Sequence, residues 1–556
     1  MRSSKITFLT LVVLLSATFF TARAQTESDS LEITASQVSQ AQLLIGLEFT
    51  GEEIDSMLTD LDDNLNGYRS MRETTVDNSV APSLLFNPLP TGFVIDTVEL
   101  PFRMTPSRLL PEPESIDDLA YASVRDLAEL IQTGKVTSTQ LTELCLNRLK
   151  RYDPQLHCVI TLTEDLALEQ AARADAEIAA GNYRGPLHGI PYGAKDLLAV
   201  KGYNTTWGAM PYKDQVIDED ATVIRKLEEA GAVLVAKLSM GALAWGDVWF
   251  GDTTRNPWNL EQGSSGSSAG SASAVAAGLV PFAIGTETWG SIVSPSTRCG
   301  TTGLRPTFGR VSRAGAMALS WSMDKIGPIC RTAEDCAIVF NAIRGADGID
   351  PTVADASFNY RPVIDVTKLR VGYLKQDFNN DSAFGTFNEA ALETLREMGV
   401  NLIEMELPDI AIDGLPVILS AEAAAAFDEL TRSNRDDLLV RQIKNAWPNV
   451  FRSSRFIPAV EYIQANRIRS MVIEQMAQKM QQVDLYVSPT FEGNNLLLTN
   501  LTGHPCVVLP NGFTEEGAPV SITFIGRLLD EATLLAFARA YQQATDFHRQ
   551  HPPLFN

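Results

Sequence analysis

The sequence predicts an α/β fold layered around one sheet, preceded by a helical extension, and three observations carry that prediction. The chain has 556 residues, 45% hydrophobic and 20% charged, which is globular material with enough apolar content for a large core. From about residue 115 onward, short apolar β-like runs alternate with amphipathic helical patterns, as expected when helices cover a sheet. No internal repeat of fixed period is visible, so a solenoid or propeller is not indicated.

The elements follow in order. Arg2 and Lys5 precede an apolar run from Ile6 to Phe20, and Ala22-Arg23-Ala24 is a small-x-small cleavage pattern. This reads as a secretory signal peptide over residues 1–24, with Gln25 as the mature start, and implies a periplasmic or extracellular location. The apolar run is shorter than the ~20 residues a spanning helix requires. Residues 25–112 read as an acidic extension packed on the main domain: helical patterns at Ala35–Leu47 and Thr50–Met71, the latter with Glu52 and Glu53 in its first turn, then a Pro-rich connector from Pro82 to Pro113. Residues 113–556 form the main domain. Ser123 caps a helix that runs to about Gln132 and ends at Gly134. Thr139–Tyr152 is a second helix, with Pro154 as its expected stop, and Glu164–Ala180 a third, closed by Gly181. Strands are expected at Cys158–Leu162, Val233–Lys237, Phe282–Gly285, Leu369–Tyr373, Leu402–Leu407, Leu485–Ser488, Cys506–Leu509 and Ser521–Ile525. A final helix is expected over about Asp530–Gln550.

The net charge of −23 excludes a general affinity for nucleic acid. Six cysteines in so long a chain, with no CxxC pair, do not make a disulfide framework; apolar contexts such as LTELCLNRL read as buried free thiols, although export would permit a bridge. No HExxH, Cys/His cluster or EF-hand pattern calls for a metal, and no Walker loop or GxGxxG calls for a nucleotide, so no cofactor is expected.

The unusual segment is Gly263–Gly303, rich in Gly, Ser and Thr but interrupted by the apolar runs AVAAGLVPFAI and SIV. A solvated linker would not carry those runs; small residues within a core let backbones approach and aim N–H groups at a ligand. A serine there needs a base. The five histidines, His157, His188, His504, His548 and His551, all lie outside the segment. Gly266 to Gly270 matches the GxSxG elbow centred on Ser268, but that elbow requires a preceding strand, and TRNPWNLEQGSSG is a poor one. The other available base is Lys195, in the small and apolar GPLHGIPYGAKDLLAV; burial would lower its pKa and free the amine. The bland alternative is a lysine paired with Asp196.

Five ordered blocks then carry a resemblance: GAKD at 193–196, TRNPWN at 254–259, GSSAGSASAVAAG at 266–278, GTETWGSI at 285–292 and CGTTGLRPTFGRVSR at 299–313. Together with TNLTGHPCVVLP near the end, they resemble the amidase-signature family over roughly residues 115–550. The resemblance implies one large domain with a central mixed sheet covered by helices on both faces. It also implies a Ser–Ser–Lys triad: Ser291 as nucleophile, Ser267 as the bridging serine after a cis peptide bond, and Lys195 as base. Ser264 is a decoy for the bridging role; 24 residues separate Ser291 from Ser267, the family spacing, against 27 from Ser264. The implied oxyanion hole consists of the backbone N–H groups of Thr288, Trp289, Gly290 and Ser291. Two positions depart from the pattern: Trp289 stands where many members have Gly, and Val293 where many have Arg.

The implied activity is hydrolysis of a carboxylic amide to acid plus ammonia or amine through an acyl-enzyme. Two other readings compete. GRVSR and SMDKIGP resemble the amidotransferase A-type branch, which releases ammonia from glutamine; the signal peptide argues against a role in tRNA charging. A catalytically degenerate binding protein on the same fold is the non-enzyme reading. The expected partners are a small-molecule or peptide amide and, as a candidate homodimer, a second copy of the chain; no nucleic acid and no membrane span after cleavage are expected.

Overall fold

The computed structural model describes residues 32–379 and 383–555. The expected signal peptide, residues 1–24, lies outside the described residues. The chain divides into two compact units, Met1–Asp77 and Asn78–Asn556.

In the first unit, helices α1 (Ala35–Ile45) and α2 (Gly51–Met71) each open on a capping box. The Thr34 and Thr50 side chains accept the N–H of Gln37 and Glu53, whose own side chains reach back to the cap. Gly46 ends α1 in the left-handed conformation, at φ 67°.

The second unit holds a mixed sheet of eleven strands. Along the chain the strands are β1 (Val159–Leu162), β2 (Pro191–Lys195), β3 (Val233–Leu238), β4 (Arg255–Asn256), β5 (Asn259–Gly263), β6 (Phe282–Glu287), β7 (Thr302–Arg305), β8 (Lys325–Cys330), β9 (Arg370–Tyr373), β10 (Asn401–Glu404), β11 (Leu485–Pro489), β12 (Cys506–Phe513) and β13 (Pro519–Gly526). Their spatial order is β1-β3-β2-β6-β8-β7-β12-β13-β11-β9-β10, with β4 and β5 paired in a separate hairpin. β2 runs parallel to β3 and β6, and β9 runs parallel to β10 and β11; the other pairings are antiparallel. Helices cover both faces of the sheet. Alternate residues therefore enter different cores: Leu234 and Ile284 join one apolar cluster, while Val235 and Ala283 join another.

Three expectations need correction. The boundary expected at 112/113 falls at 77/78, so residues 78–112, read above as packed on the main domain, are part of the main unit: Thr105 N–H donates to the buried Glu334 carboxylate at 2.6 Å, and Arg108 and Leu110 N–H groups donate to Glu129 at 3.0 Å. Pro154 does not stop its helix, which runs Ser138–Leu156 and ends at His157 in the left-handed region. A proline this near the end removes one main-chain bond, and Asp153 Oδ1 orders the exit by accepting the N–H groups of Cys158 and Val159, both at 2.8 Å. The last helix is shorter than expected, Glu531–Thr545, because Asp546 turns left-handed at φ 58°. All six cysteines are buried free thiols. No helix among the described residues is long and apolar enough to cross a membrane.

Candidate active site

Lys195 is the last residue of β2 and is completely buried. Its neighbours follow from the parallel register: Ala194 lies opposite Ile284 of β6, so the strand ends bring Lys195 beside Thr286. The Lys195 Nζ lies 2.8 Å from Ser267 Oγ, 2.8 Å from Thr286 Oγ1 and 3.1 Å from Ser268 Oγ. Every contact is a neutral oxygen. Burial lowers the amine to about 7, against the pull of the buried Asp324 and Glu287 carboxylates, so a large fraction is neutral near physiological pH. The pairing with Asp196 considered above does not form. Asp196 is charge-paired with Lys237 of β3 at 2.8 Å and accepts the N–H of Thr206 at 2.8 Å.

The Gly/Ser segment is buried main chain. After the β4–β5 hairpin the chain passes Ser264 and Ser265, and the Gly266–Ser267 peptide bond is cis. Gly266 is required here: a Cβ would sit 1.8 Å from the Gly246 carbonyl oxygen. The stretch before the GxSxG match, read above as a poor strand, does contain one, β5, but in the separate hairpin and not in the main sheet. Ser268, the elbow alternative, is occupied structurally. Its hydroxyl donates to the Thr286 carbonyl and accepts the Thr286 N–H, both at 3.0 Å, stitching the start of helix Ala269–Ala276 to β6. The Ser264 hydroxyl donates to the Ser265 carbonyl, away from Lys195. Among the described residues, none of the five histidines bonds Ser267, Ser268 or Ser291.

Ser291 lies between β6 and the short helix Val293–Cys299, with 8% of its surface exposed. Its carbonyl accepts the Ser268 N–H at 3.2 Å, which ties its main chain to the serine pair. Among the described residues its hydroxyl bonds no protein group, and the N–H groups of Thr288, Trp289, Gly290 and Ser291 have no protein acceptor. Gly290 has φ 89°, which turns this run of N–H groups. Trp289 projects outward and is 42% exposed.

Two buried carboxylates that the sequence reading did not single out hold this loop from below. Glu287 Oε2 accepts the N–H groups of Ile292 and Val293, both at 2.9 Å, and Glu287 Oε1 accepts from Arg305 Nη1 and Asn500 Nδ2, also at 2.9 Å. Burial would raise this carboxyl, but Arg305 and the main-chain donors outweigh it and hold it at about 2. Arg305 thus pairs with Glu287 while position 293 is an entirely buried valine. Asp324 accepts the Thr288 hydroxyl at 2.6 Å and the N–H groups of Leu319 and Ser320 at 2.8 and 2.9 Å. The visible signal is an acid set in the otherwise neutral GTETWGSI. Among the described residues no group of three or more His, Cys, Asp or Glu is placed to hold a metal ion.

The arrangement offers a buried, partly neutral amine on a serine hydroxyl, a second serine with an unbonded hydroxyl, and a run of main-chain donors beside it. These are the parts of nucleophilic acyl transfer. Known proteins agree with that chemistry. The amidase family model matches residues 140–498. The A chain of the glutamyl-tRNA(Gln) amidotransferase of Roseiflexus sp. (strain RS-1) is 35% identical over 484 residues, 78% of this chain and 99% of that protein. Its counterpart in Moorella thermoacetica is 34% identical over 487 residues, 79% and 99% respectively. Among solved structures, the native peptide amidase of Stenotrophomonas maltophilia superposes with a TM-score of 0.71 at 30% identity, covering 79% of this chain and all of that one.

Proposed function

The chain belongs to the amidase family, whose members act on C–N amide bonds, and from that premise we propose that it is an exported serine amidase working through an acyl-enzyme on Ser291. Ser291 Oγ attacks the amide carbonyl and forms a C–O bond. Its proton passes to Ser267 as the Ser267 proton passes to neutral Lys195. The oxyanion is held by the N–H groups of Thr288, Trp289, Gly290 and Ser291, donors of a kind worth roughly 3–4 kcal/mol of barrier each. The relay then reverses, the leaving nitrogen takes the proton, and the C–N bond breaks. Water attacks the ester by the same relay and regenerates Ser291.

One observation carries the reading: the Lys195 amine is buried, touches only hydroxyls among side-chain partners, and is drawn down to about 7. The decisive experiment is active-site labelling with a fluorophosphonate, read by peptide mass, alongside turnover of a simple amide. Wild type is labelled at Ser291 and Ser291→Ala loses both labelling and turnover while keeping its fold. An unlabelled, inactive wild type would favour the degenerate binding protein. Export rests on the leader pattern and is checked by the intact mass of secreted protein, which should begin at Gln25.

A second reading has support of its own. The relatives at 34–35% identity are the A chains of glutamyl-tRNA(Gln) amidotransferases, so glutamine-derived ammonia release is tested with the same preparation.

A further inference from the structure

A cavity of about 130 Å³ opens beside the donor loop, and it reaches both Thr286, which binds the Lys195 amine, and Thr288. Its walls are chiefly apolar, including Leu197, Met317, Leu319, Trp321 and Ile326. Four charged side chains also line it, and each is already engaged. Arg313 pairs with Asp350 at 2.9 Å and donates to the Trp321 carbonyl at 2.6 Å. Asp324 holds three donors, and Lys325, fully buried at the start of β8, donates to the Met323 carbonyl. Lys325 pairs with no carboxylate, but burial draws its amine down to about 7 and its proton is directed at the Met323 carbonyl, so a ligand entering here meets no fully charged, free counter-ion.

The outer wall comes from a distant part of the sequence. Ser79 and Ala81 line the cavity, and Asn78 fixes them there. The Asn78 amide imitates a strand partner: its Oδ1 accepts the Ala318 N–H at 2.7 Å, and its Nδ2 donates to the carbonyls of Ala318 at 2.9 Å and Ala426 at 3.3 Å. Ala318 adjoins Leu319, whose N–H is held by Asp324, which also holds Thr288. The wall, the cavity rim and the donor loop are therefore linked by consecutive hydrogen bonds. None of these bonds touches Lys195, Ser267 or Ser291.

We propose that residues 78–81 are a specificity-determining wall of the substrate cavity, and that the cavity takes a compact apolar group rather than a charged γ-glutamyl group. The proposal rests on the amidase reading above and adds the substrate class. In a primary amide the leaving group is ammonia, so the group that fills the cavity is the acyl part. A zwitterionic head would lose its hydration there with only the half-neutral Lys325 amine, already turned to a carbonyl, to answer its carboxylate and nothing free to answer its ammonium. An aromatic ring or a branched alkyl group would bury apolar surface at no such cost.

The test measures kcat/KM of the mature enzyme on acetamide, isobutyramide, benzamide, 3-phenylpropionamide and free glutamine. Benzamide or isobutyramide should be preferred, with glutamine at least about 100-fold lower, as expected when a site leaves polar groups unmatched. Asn78→Ala should loosen the wall and narrow the gap between 3-phenylpropionamide and benzamide about tenfold. Ala316→Phe, which fills part of the cavity, should lower the benzamide-to-acetamide ratio about tenfold. Glutamine as the preferred substrate, or unchanged ratios in both variants, would overturn the proposal while leaving an active enzyme labelled at Ser291. A wild type that turns over none of the five and resists labelling removes the proposal together with the reading beneath it.

Discussion

Two lysines stand on neighbouring strands, both wholly buried, in surroundings that differ in one respect. Lys195 ends β2; Lys237 lies opposite Ala194 in β3. Lys237 has the Asp196 carboxylate at 2.8 Å, the Asn204 carbonyl at 2.6 Å and the Thr205 hydroxyl at 2.6 Å. Lys195 has three hydroxyls at 2.8–3.1 Å and no carboxylate in contact. Burial pulls both amines down, but beside Lys237 the carboxylate acts against it, whereas beside Lys195 only more distant charges do. Burial alone therefore does not make a base. What distinguishes the two sites is whether a counter-charge was buried with the amine.

The comparison can be broken most decisively at Lys195. Lys195→Arg keeps the charge but cannot supply a neutral base, so kcat/KM should fall by about 10²–10⁴. Wild-type activity should decline below an apparent pKa near 7, about tenfold per pH unit, because the lowered amine is progressively protonated there. An active Arg variant with the wild-type pH profile would end the lysine-base mechanism. Next comes stability. Lys237→Met strands the Asp196 carboxylate and should cost about 3–5 kcal/mol by urea unfolding, as removal of one partner of a buried pair does. Lys195→Met strands only hydroxyls that can bond one another, and should cost far less. A finer test follows from linkage. The Lys195 pKa is about 7 in the folded chain and about 10.4 unfolded, so between those values the unfolded chain binds the extra proton. Wild-type stability should then rise with pH across that window relative to Lys195→Met, by at most about 1.4 kcal/mol per unit. Equal slopes would mean that the folded amine is not depressed. The smallest effect belongs to Ser264→Ala, whose hydroxyl only serves the next carbonyl; its kcat/KM should stay within about twofold of wild type. Loss comparable to Ser267→Ala would shift the bridging role by one motif.

Strands with an apolar, β-branched signature were readable from the sequence: Val233–Lys237 and Phe282–Gly285 lie within β3 and β6, and Cys506–Leu509 lies within β12. β2 and β8, which each carry both Gly and Pro within five or six residues, were not. β2 reads PYGAK, and its glycine answers a neighbour, since a Cβ at Gly193 would lie 2.3 Å from Leu238 Cδ1. β8 carries Pro328 opposite Ile284 in a central pairing, where composition argues against a strand. At the site, Lys195 and the serines stood out because burial of such residues demands a reason. Thr286, Asp324 and the Glu287–Arg305–Asn500 cluster did not. Their partners lie up to 213 residues away, and only the fold reveals that a lone acid in GTETWGSI faces an arginine.

Glu287 has a consequence for how such a protein diversifies. It grips the donor loop by main-chain N–H groups of Ile292 and Val293 and never by the side chain at 289. The side chain there is thus released from any duty to the loop's conformation, and a bulky indole can stand at a position where glycine is common. Substitutions at that residue are therefore expected to change substrate scope without loss of the proposed reaction. Libraries aimed at new amides should randomise position 289 and leave the acid two residues before it untouched.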